Sequence, residues 1–150
     1  MFEMNPVHLG VLVEDIEKAM EYCQTVLGVG PFEDFGELQE NSFYYGKPGK
    51  LCYRAAMAPY GNLQLELIQP TQPDSIFWDD LKKCGPGIHH VCLKVDDAEA
   101  AEEECRKAGM EIREKVPLYE MEPGFSVGFF FVDTPFGMRL EVTQEEIAEE

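Results

Sequence analysis

Strict alternation opens the chain. Val7, Leu9, Val11 and Val13 share one face of a predicted strand, and His8 and Gly10 share the other. The period then changes. Asp15 is placed to cap a helix running to about Leu27, with Ile16, Ala19, Met20, Cys23 and Leu27 on one side and Gly28 as its stop. Gly30–Leu38 is a less regular strand, while Leu51–Ala58 and Leu63–Gln69 alternate well around the turn Pro59-Tyr60-Gly61-Asn62. A short helix over Asp74–Lys83 leads into the punctuated stretch Lys82-Lys83-Cys84-Gly85-Pro86-Gly87, which suits a linker. The order then recurs: a strand over Ile88–Val95, a helix over Asp97–Ala108 stopped by Gly109, and strands over Met110–Val116, Val127–Val132 and Met138–Thr143.

The recurrence extends to individual residues. His8-Leu9-Gly10-Val11-Leu12-Val13-Glu14-Asp15 is echoed by His90-Val91-Cys92-Leu93-Lys94-Val95-Asp96-Asp97, and Gln64-Leu65-Glu66-Leu67 by Arg139-Leu140-Glu141-Val142. The chain therefore reads as βαβββ written twice, an α+β domain of two tandem modules. Module 1 spans about 5–72 and module 2 about 87–145, with the short helix and linker (73–86) between them. Neither half has much core of its own, so both are expected to pack into one unit over residues 1–150. In all four echoed strands the apolar face can lie under a helix. His8, Glu66, His90 and Glu141 then share the opposite face, which has the character of a cleft.

Composition narrows the function. With 45% hydrophobic and 27% charged residues the chain is globular, and no apolar run reaches the length that spans a bilayer. No signal peptide is evident at Met1-Phe2-Glu3-Met4-Asn5. Five cysteines without CxxC spacing argue against a disulfide framework and for a cytoplasmic protein. A net charge of −17 repels nucleic acid, leaving a small-molecule partner. Much of that charge sits on helical faces and in the tail from Glu145 onward.

One His and one Glu per repeat is the pattern of a metal site. Two imidazoles and two carboxylates suit one divalent first-row ion per chain (Zn, Ni, Co, Mn or Fe), with positions open for water or substrate. His89 and His90 point to opposite faces; register with His8 selects His90 as the ligand and makes His89 a packing or supporting residue. An ion with open positions polarises a carbonyl, and a carboxylate that loosens from it can take the neighbouring proton. Glu141 is the leading base and Glu66 the second. Gln64, Lys94 and Arg139 share the cleft-facing parity and could hold a carboxylate, phosphate or thioester. Phe129-Phe130-Phe131 reads as sheet core, and Cys92 as filler beside His90.

These residues resemble the vicinal oxygen chelate superfamily, which contains lactoylglutathione lyase, methylmalonyl-CoA epimerase and the extradiol dioxygenases. The resemblance covers nearly the whole chain and is nearest to the epimerase-like branch through Glu66-Leu67-Ile68-Gln69-Pro70, Asp74-Ser75-Ile76 and Gly87-Ile88-His89-His90-Val91. Leu27-Gly28-Val29-Gly30-Pro31-Phe32 looks like glyoxalase-like members more broadly. It implies paired βαβββ modules whose sheets curl around a metal cleft, ligands at His8, Glu66, His90 and Glu141, and a homodimer. Some relatives carry an amide at the position of Glu66, which favours Glu141 as the base. Epimerases also carry a further catalytic glutamate ahead of the second ligand. Asn41 to Leu65 holds no Asp or Glu, so that residue has no counterpart there.

The function expected is a metal-dependent isomerase or lyase acting through an enolate on a small acyl thioester or 2-oxo compound. The alternatives are an extradiol-type Fe(II) dioxygenase, using His8, His90 and Glu141, and a non-catalytic binding protein of the bleomycin-resistance kind.

Overall fold

The computed structural model describes residues 3–149. Its elements run β1 (Asn5–Leu12), α1 (Ile16–Tyr22), β2 (Glu33–Tyr44), β3 (Lys47–Tyr60), β4 (Leu63–Pro70), α2 (Ile76–Cys84), β5 (Gly87–Lys94), α3 (Ala98–Lys107), β6 (Ile112–Glu122), β7 (Phe125–Asp133) and β8 (Arg139–Ile147). The strands form one sheet closed on itself in the order β1-β4-β3-β2-β6-β7-β8-β5. The β1–β4 and β5–β8 pairs are parallel, while β1 and β5 run antiparallel side by side.

Alternation along the strands decides what lies inside and outside this barrel. The outward residues Leu9, Val11, Leu65 and Leu67 meet Ile16 and Cys23 beneath α1. Val95, Phe130, Val132 and Val142 meet Ala101 and Cys105 beneath α3. The inward set, including Leu12, Leu51, Tyr53, Ile68, Val116 and Phe131, packs with Ile76 and Phe77 of α2. Burying each such side chain stabilises the fold by roughly 1.5–3 kcal/mol before entropy is counted.

Both long connections begin alike. Asp15 Oδ1 accepts from the Lys18 amide at 3.1 Å, and Asp97 Oδ1 from that of Ala100 at 3.0 Å. Gln69 on β4 accepts from the Ile16 amide, and Gln144 on β8 from that of Ala98. Each helix start is thus tied to the strand carrying the nearby glutamate, and two free amides of its first turn are satisfied.

Three elements differ from expectation. The first helix stops at Tyr22 and continues as a π-helical turn over Cys23–Leu27 before Gly28, in the left-handed region at φ 67°, ends it. Thr25 Oγ1 donates to the Glu21 carbonyl at 2.8 Å and competes with the regular ladder there. Strand β2 runs on to Tyr44 because it pairs with β3 from Glu33↔Met57 to Tyr44↔Lys47; the partner supplies what its polar sequence lacks. Strand β6 runs past Pro117 to Glu122 by means of a bulge between Val116 and Tyr119.

The barrel closes least firmly between β2 and β6. Only Phe43↔Lys115 and Tyr44↔Glu114 pair across that seam. The buried Glu114 carboxylate reinforces it, accepting from Ser42 Oγ at 2.8 Å and from the Ile76 amide at 2.9 Å. Beyond these pairs the two strands part, and a cavity of about 310 Å³ opens between them into the barrel.

Candidate metal centre

Four neighbouring strands deliver the four echoed residues to one point. His8 comes from β1, Glu66 from β4, His90 from β5 and Glu141 from β8, and one potential ligand atom of each lies within 4.8 Å of the other three. His8 Nε2 is 3.2 Å from His90 Nε2 and 3.0 Å from Glu141 Oε2; His90 Nε2 is 2.9 Å from that same oxygen. Glu66 Oε1 stands farther off, 3.9 Å from His8 Nε2. The strand ladder explains the convergence. Cross-strand partners His8↔Cys92 and Gly10↔His90 place the histidines one inward step apart on adjacent strands. A Cβ on Gly10 would lie 2.2 Å from His90 Cε1, so only glycine there admits the imidazole.

The electrostatics are those of a site short of positive charge. Burial lowers the His8 imidazole, but the charges of Glu141 and Glu66 and the Glu141 hydrogen bond outweigh it and raise the group to about 9. Burial and the Glu141 charge push Glu66 up to about 7, against the opposing pull of His8. Burial also presses Glu141 upward, yet His8 and His90 together hold it well below the usual carboxylate range. Two carboxyl groups therefore share one cation, and a divalent ion answers that imbalance. Two imidazole nitrogens and two carboxylates, converging with no competing backbone donor among them, fit such an ion.

Behind His90 runs a hydrogen-bonded chain. His90 Nδ1 is 2.8 Å from His89 Nδ1, and His89 Nε2 is 2.7 Å from Asp80 Oδ2. Asp80 is gripped in turn by Arg113, with contacts of 2.8 and 3.1 Å, and by Arg139 at 3.3 Å. Burial, with the charges of His90 and Arg139, lowers His89 to about 4 despite its bond to Asp80, so it is neutral near pH 7. Its Nε2–H then donates to Asp80 and its Nδ1 accepts from His90. That fixes His90 as the Nδ1–H tautomer with its Nε2 lone pair aimed into the cluster.

The residues expected to bind substrate are not brought into the cavity. Gln64 is exposed, Lys94 pairs with Glu145 at 2.8 Å, and Arg139 donates to Asp133 and to the His89 carbonyl behind the cluster. Arg139 has the inward parity predicted for it but stands at the first residue of β8, on the far side of His90 from the mouth.

A residue missed from sequence takes their place. Glu40 on β2 lies one position before the acid-free stretch, is 4% exposed, and lines the cavity with Glu66 and Glu141. Tyr53 and Tyr119 each donate to it at 2.5 Å. Burial raises its carboxyl, and the two tyrosine bonds counter this only in part. The discernible signal was Leu38, Glu40 and Ser42 alternating inward against exposed Glu37, Gln39, Asn41 and Phe43.

Comparison with known proteins agrees with this architecture. Residues 7–129 match the model of the Glyoxalase/Bleomycin resistance protein/Dioxygenase superfamily, and the chain belongs to that superfamily. It is 32% identical over 98 residues to the mitochondrial methylmalonyl-CoA epimerase of Bos taurus, covering 63% of this chain and 48% of that protein. To the Mus musculus enzyme it is 31% identical over 101 residues, covering 67% and 51%. The chain thus spans about half the length of the curated relatives it matches. A hypothetical protein of Bacillus halodurans superposes with a TM-score of 0.63 at 18% identity, over 99% of both chains. A Streptomyces coelicolor methylmalonyl-CoA epimerase variant, solved with 2-nitronate-propionyl-CoA, gives 0.61 at 22% identity over 96% and 98%. The glyoxalase-like, strand-rich α+β fold is therefore shared.

Proposed function

We propose that the protein is a metal-dependent isomerase that moves a proton on the carbon beside a carbonyl, in a small acyl thioester or 2-oxo compound. The observation that carries this reading is the convergence of His8, Glu66, His90 and Glu141 within 4.8 Å, in a cavity that holds a further carboxylate, Glu40. The similarity to epimerases supports it, as do the matched helix starts, which favour two repeated modules around one cleft.

A divalent ion held by the four residues would polarise the carbonyl oxygen and stabilise the charge that appears there when the neighbouring carbon loses its proton. The chain's own groups do the rest. Glu141 takes the proton, its low affinity for protons in the metal-free site reflecting the two histidines beside it. Glu40, outside the four-residue cluster and held by two phenols, is placed to act on the substrate carbon from the β2 side. Two carboxyl groups on separate walls allow a proton removed on one face to be replaced on the other. Phe77, Phe129 and Phe131 line the inner wall and keep water from the charged carbon. Glu66 within the cluster weighs against the dioxygenase reading, because it takes a position that oxygen and a catechol need.

The test is deuterium incorporation from heavy water, read by mass, across neutral and CoA thioesters and 2-oxo compounds with added Co, Ni, Mn or Zn. Exchange beside the carbonyl only when metal is present supports the reading. Bound iron with oxygen uptake, or no exchange with any metal, would overturn it.

A further inference from the structure

The cavity carries a second message in its charges. Among the described residues six glutamates line it (Glu33, Glu40, Glu66, Glu122, Glu141 and Glu145), and no lysine or arginine does. Three of them are accounted for as ligands or acid–base groups. The other three, Glu33, Glu122 and Glu145, are exposed residues on β2, β6 and β8. Lys94 is paired to Glu145, while Glu33 and Glu122 make no ion pair among the described residues.

The remaining cations are committed or remote. Arg54 bonds Glu17 and Asp34, Lys115 bonds Glu102, and Arg113 bonds Asp80. Lys47 and Lys50 line a separate cleft formed by β2, β3 and the segment after β4, with Gln72 and Asp74. Between the outer glutamates the wall is apolar: Phe35, Met57, Met121 and Phe125.

We propose that this site selects carbonyl substrates whose body is apolar and uncharged or cationic, and discriminates against anionic ones such as diphosphate-bearing CoA esters. The proposal rests on the reading of the cavity as a metal site with positions open for a carbonyl ligand. Its physical basis is plain. An anion entering past Glu33 and Glu122 meets like charge that no cation offsets, the one nearby lysine, Lys94, being paired to Glu145, with low-dielectric walls focusing the field. A cation meets attraction from the same carboxylates and from the faces of Phe35 and Phe125. The chain's net charge of −17 acts in the same direction.

Three benzohydroxamates test it, carrying para-tert-butyl, para-trimethylammonio or para-sulfonato groups. They share one metal-chelating head and nearly one shape, and differ in charge. Binding is measured by calorimetry on the zinc-loaded protein at low and high salt. The trimethylammonio probe should bind at least about tenfold more tightly than the sulfonate at low salt, with the tert-butyl probe between them, and salt should narrow the gap. Glu33→Gln with Glu122→Gln should narrow it too while leaving tert-butyl binding nearly unchanged. Sulfonate binding as tight as trimethylammonio binding overturns the charge selection and leaves the metal site standing. If none of the three binds zinc-loaded protein, the metal-site reading falls and takes this proposal with it.

Discussion

His8 and His90 reach the cluster from adjacent antiparallel strands, in echoed sequences, yet their surroundings differ. His90 is 2% exposed, T-shaped against Phe131, and tied through His89 to Asp80, Arg113 and Arg139. His8 is 8% exposed and bonds toward the cluster alone, to His90 and Glu141. The glutamates divide likewise, Glu141 in contact with both imidazoles and Glu66 standing off. The second half of the chain braces its histidine from behind, and the first half leaves His8 with polar contacts inside the cluster alone. The asymmetry comes from α2, which lies between the echoed halves and contributes Asp80 and Phe77 to one side.

The sharpest way to break this comparison is to swap its two carboxylates for amides. Glu141→Gln should cut proton exchange about 10²–10⁴-fold even with saturating metal, the usual cost of losing a positioned base. Glu66→Gln should keep measurable exchange with weaker metal binding, since an amide oxygen still coordinates. Equal losses in mass-detected deuterium uptake would erase the distinction between the halves.

Next come the residues facing each histidine across the β1–β5 ladder. Gly10→Ala drives a methyl into the His90 ring and should weaken zinc binding by about 100-fold, the range seen when ligand support is lost. Cys92→Ala, opposite His8, should leave zinc affinity almost unchanged and cost about 1–2 kcal/mol of stability as a buried truncation. Competition with a chromogenic chelator and thermal melts read the two outcomes. A smaller effect follows from Asp80→Asn, whose single amide oxygen can still accept from His89 but which loses the charge and the second oxygen's bond to Arg113; zinc affinity should drop about 10-fold. Gln64→Ala, on the strand beside His8, should do nothing measurable to zinc.

The mildest test is by pH. Metal-free His8 is raised to about 9 and Glu66 to about 7, so the folded state holds more protons than the unfolded one between their ordinary values and these. Their stabilising effect is therefore complete below those ordinary values and lost as pH rises through about 7 for Glu66 and about 9 for His8. Glu141, shifted the other way, keeps its contribution throughout that window. The melting temperature in chelator should fall from pH 7 to 9. Zinc uptake should release about one proton near pH 8 and approach two near pH 6.5, readable by calorimetry in buffers of different ionisation enthalpy.

The inward set was legible because alternation on four short strands leaves little freedom: a residue's parity fixes its face. Height along the barrel is another matter. Arg139 and Glu141 have the same parity, yet two residues separate a cation behind His90 from a group at the cluster. Gln64 and Lys94 fall at the opposite ends of their strands for the same reason. Glu40 was hidden differently. Its strand reads polar, and the irregularity between Asp34 and Gly36 breaks the count of faces. Its burial depends on Tyr53 and Tyr119, from two other strands. A carboxyl whose place is secured by distant phenols leaves only the parity it shares with Leu38 and Ser42 to read.

The two-pair seam between β2 and β6 has a consequence for what the protein admits. Seven strand junctions hold the barrel's shape, and the eighth is laddered at one end only, by Phe43 and Tyr44 with the Glu114 carboxylate beside them, and tied farther along by the Tyr119–Glu40 hydrogen bond. From that tie to the chain turn at Pro123-Gly124 the strands leave an aperture, and how far it reaches is set by how many bonds cross the junction. Lengthening the clasp by one pair would narrow the opening without moving a metal-facing strand, and cutting it at Glu114 would loosen the opening and the start of α2 together. The width of the opening is thus a matter of fastening, separable from the groups it encloses.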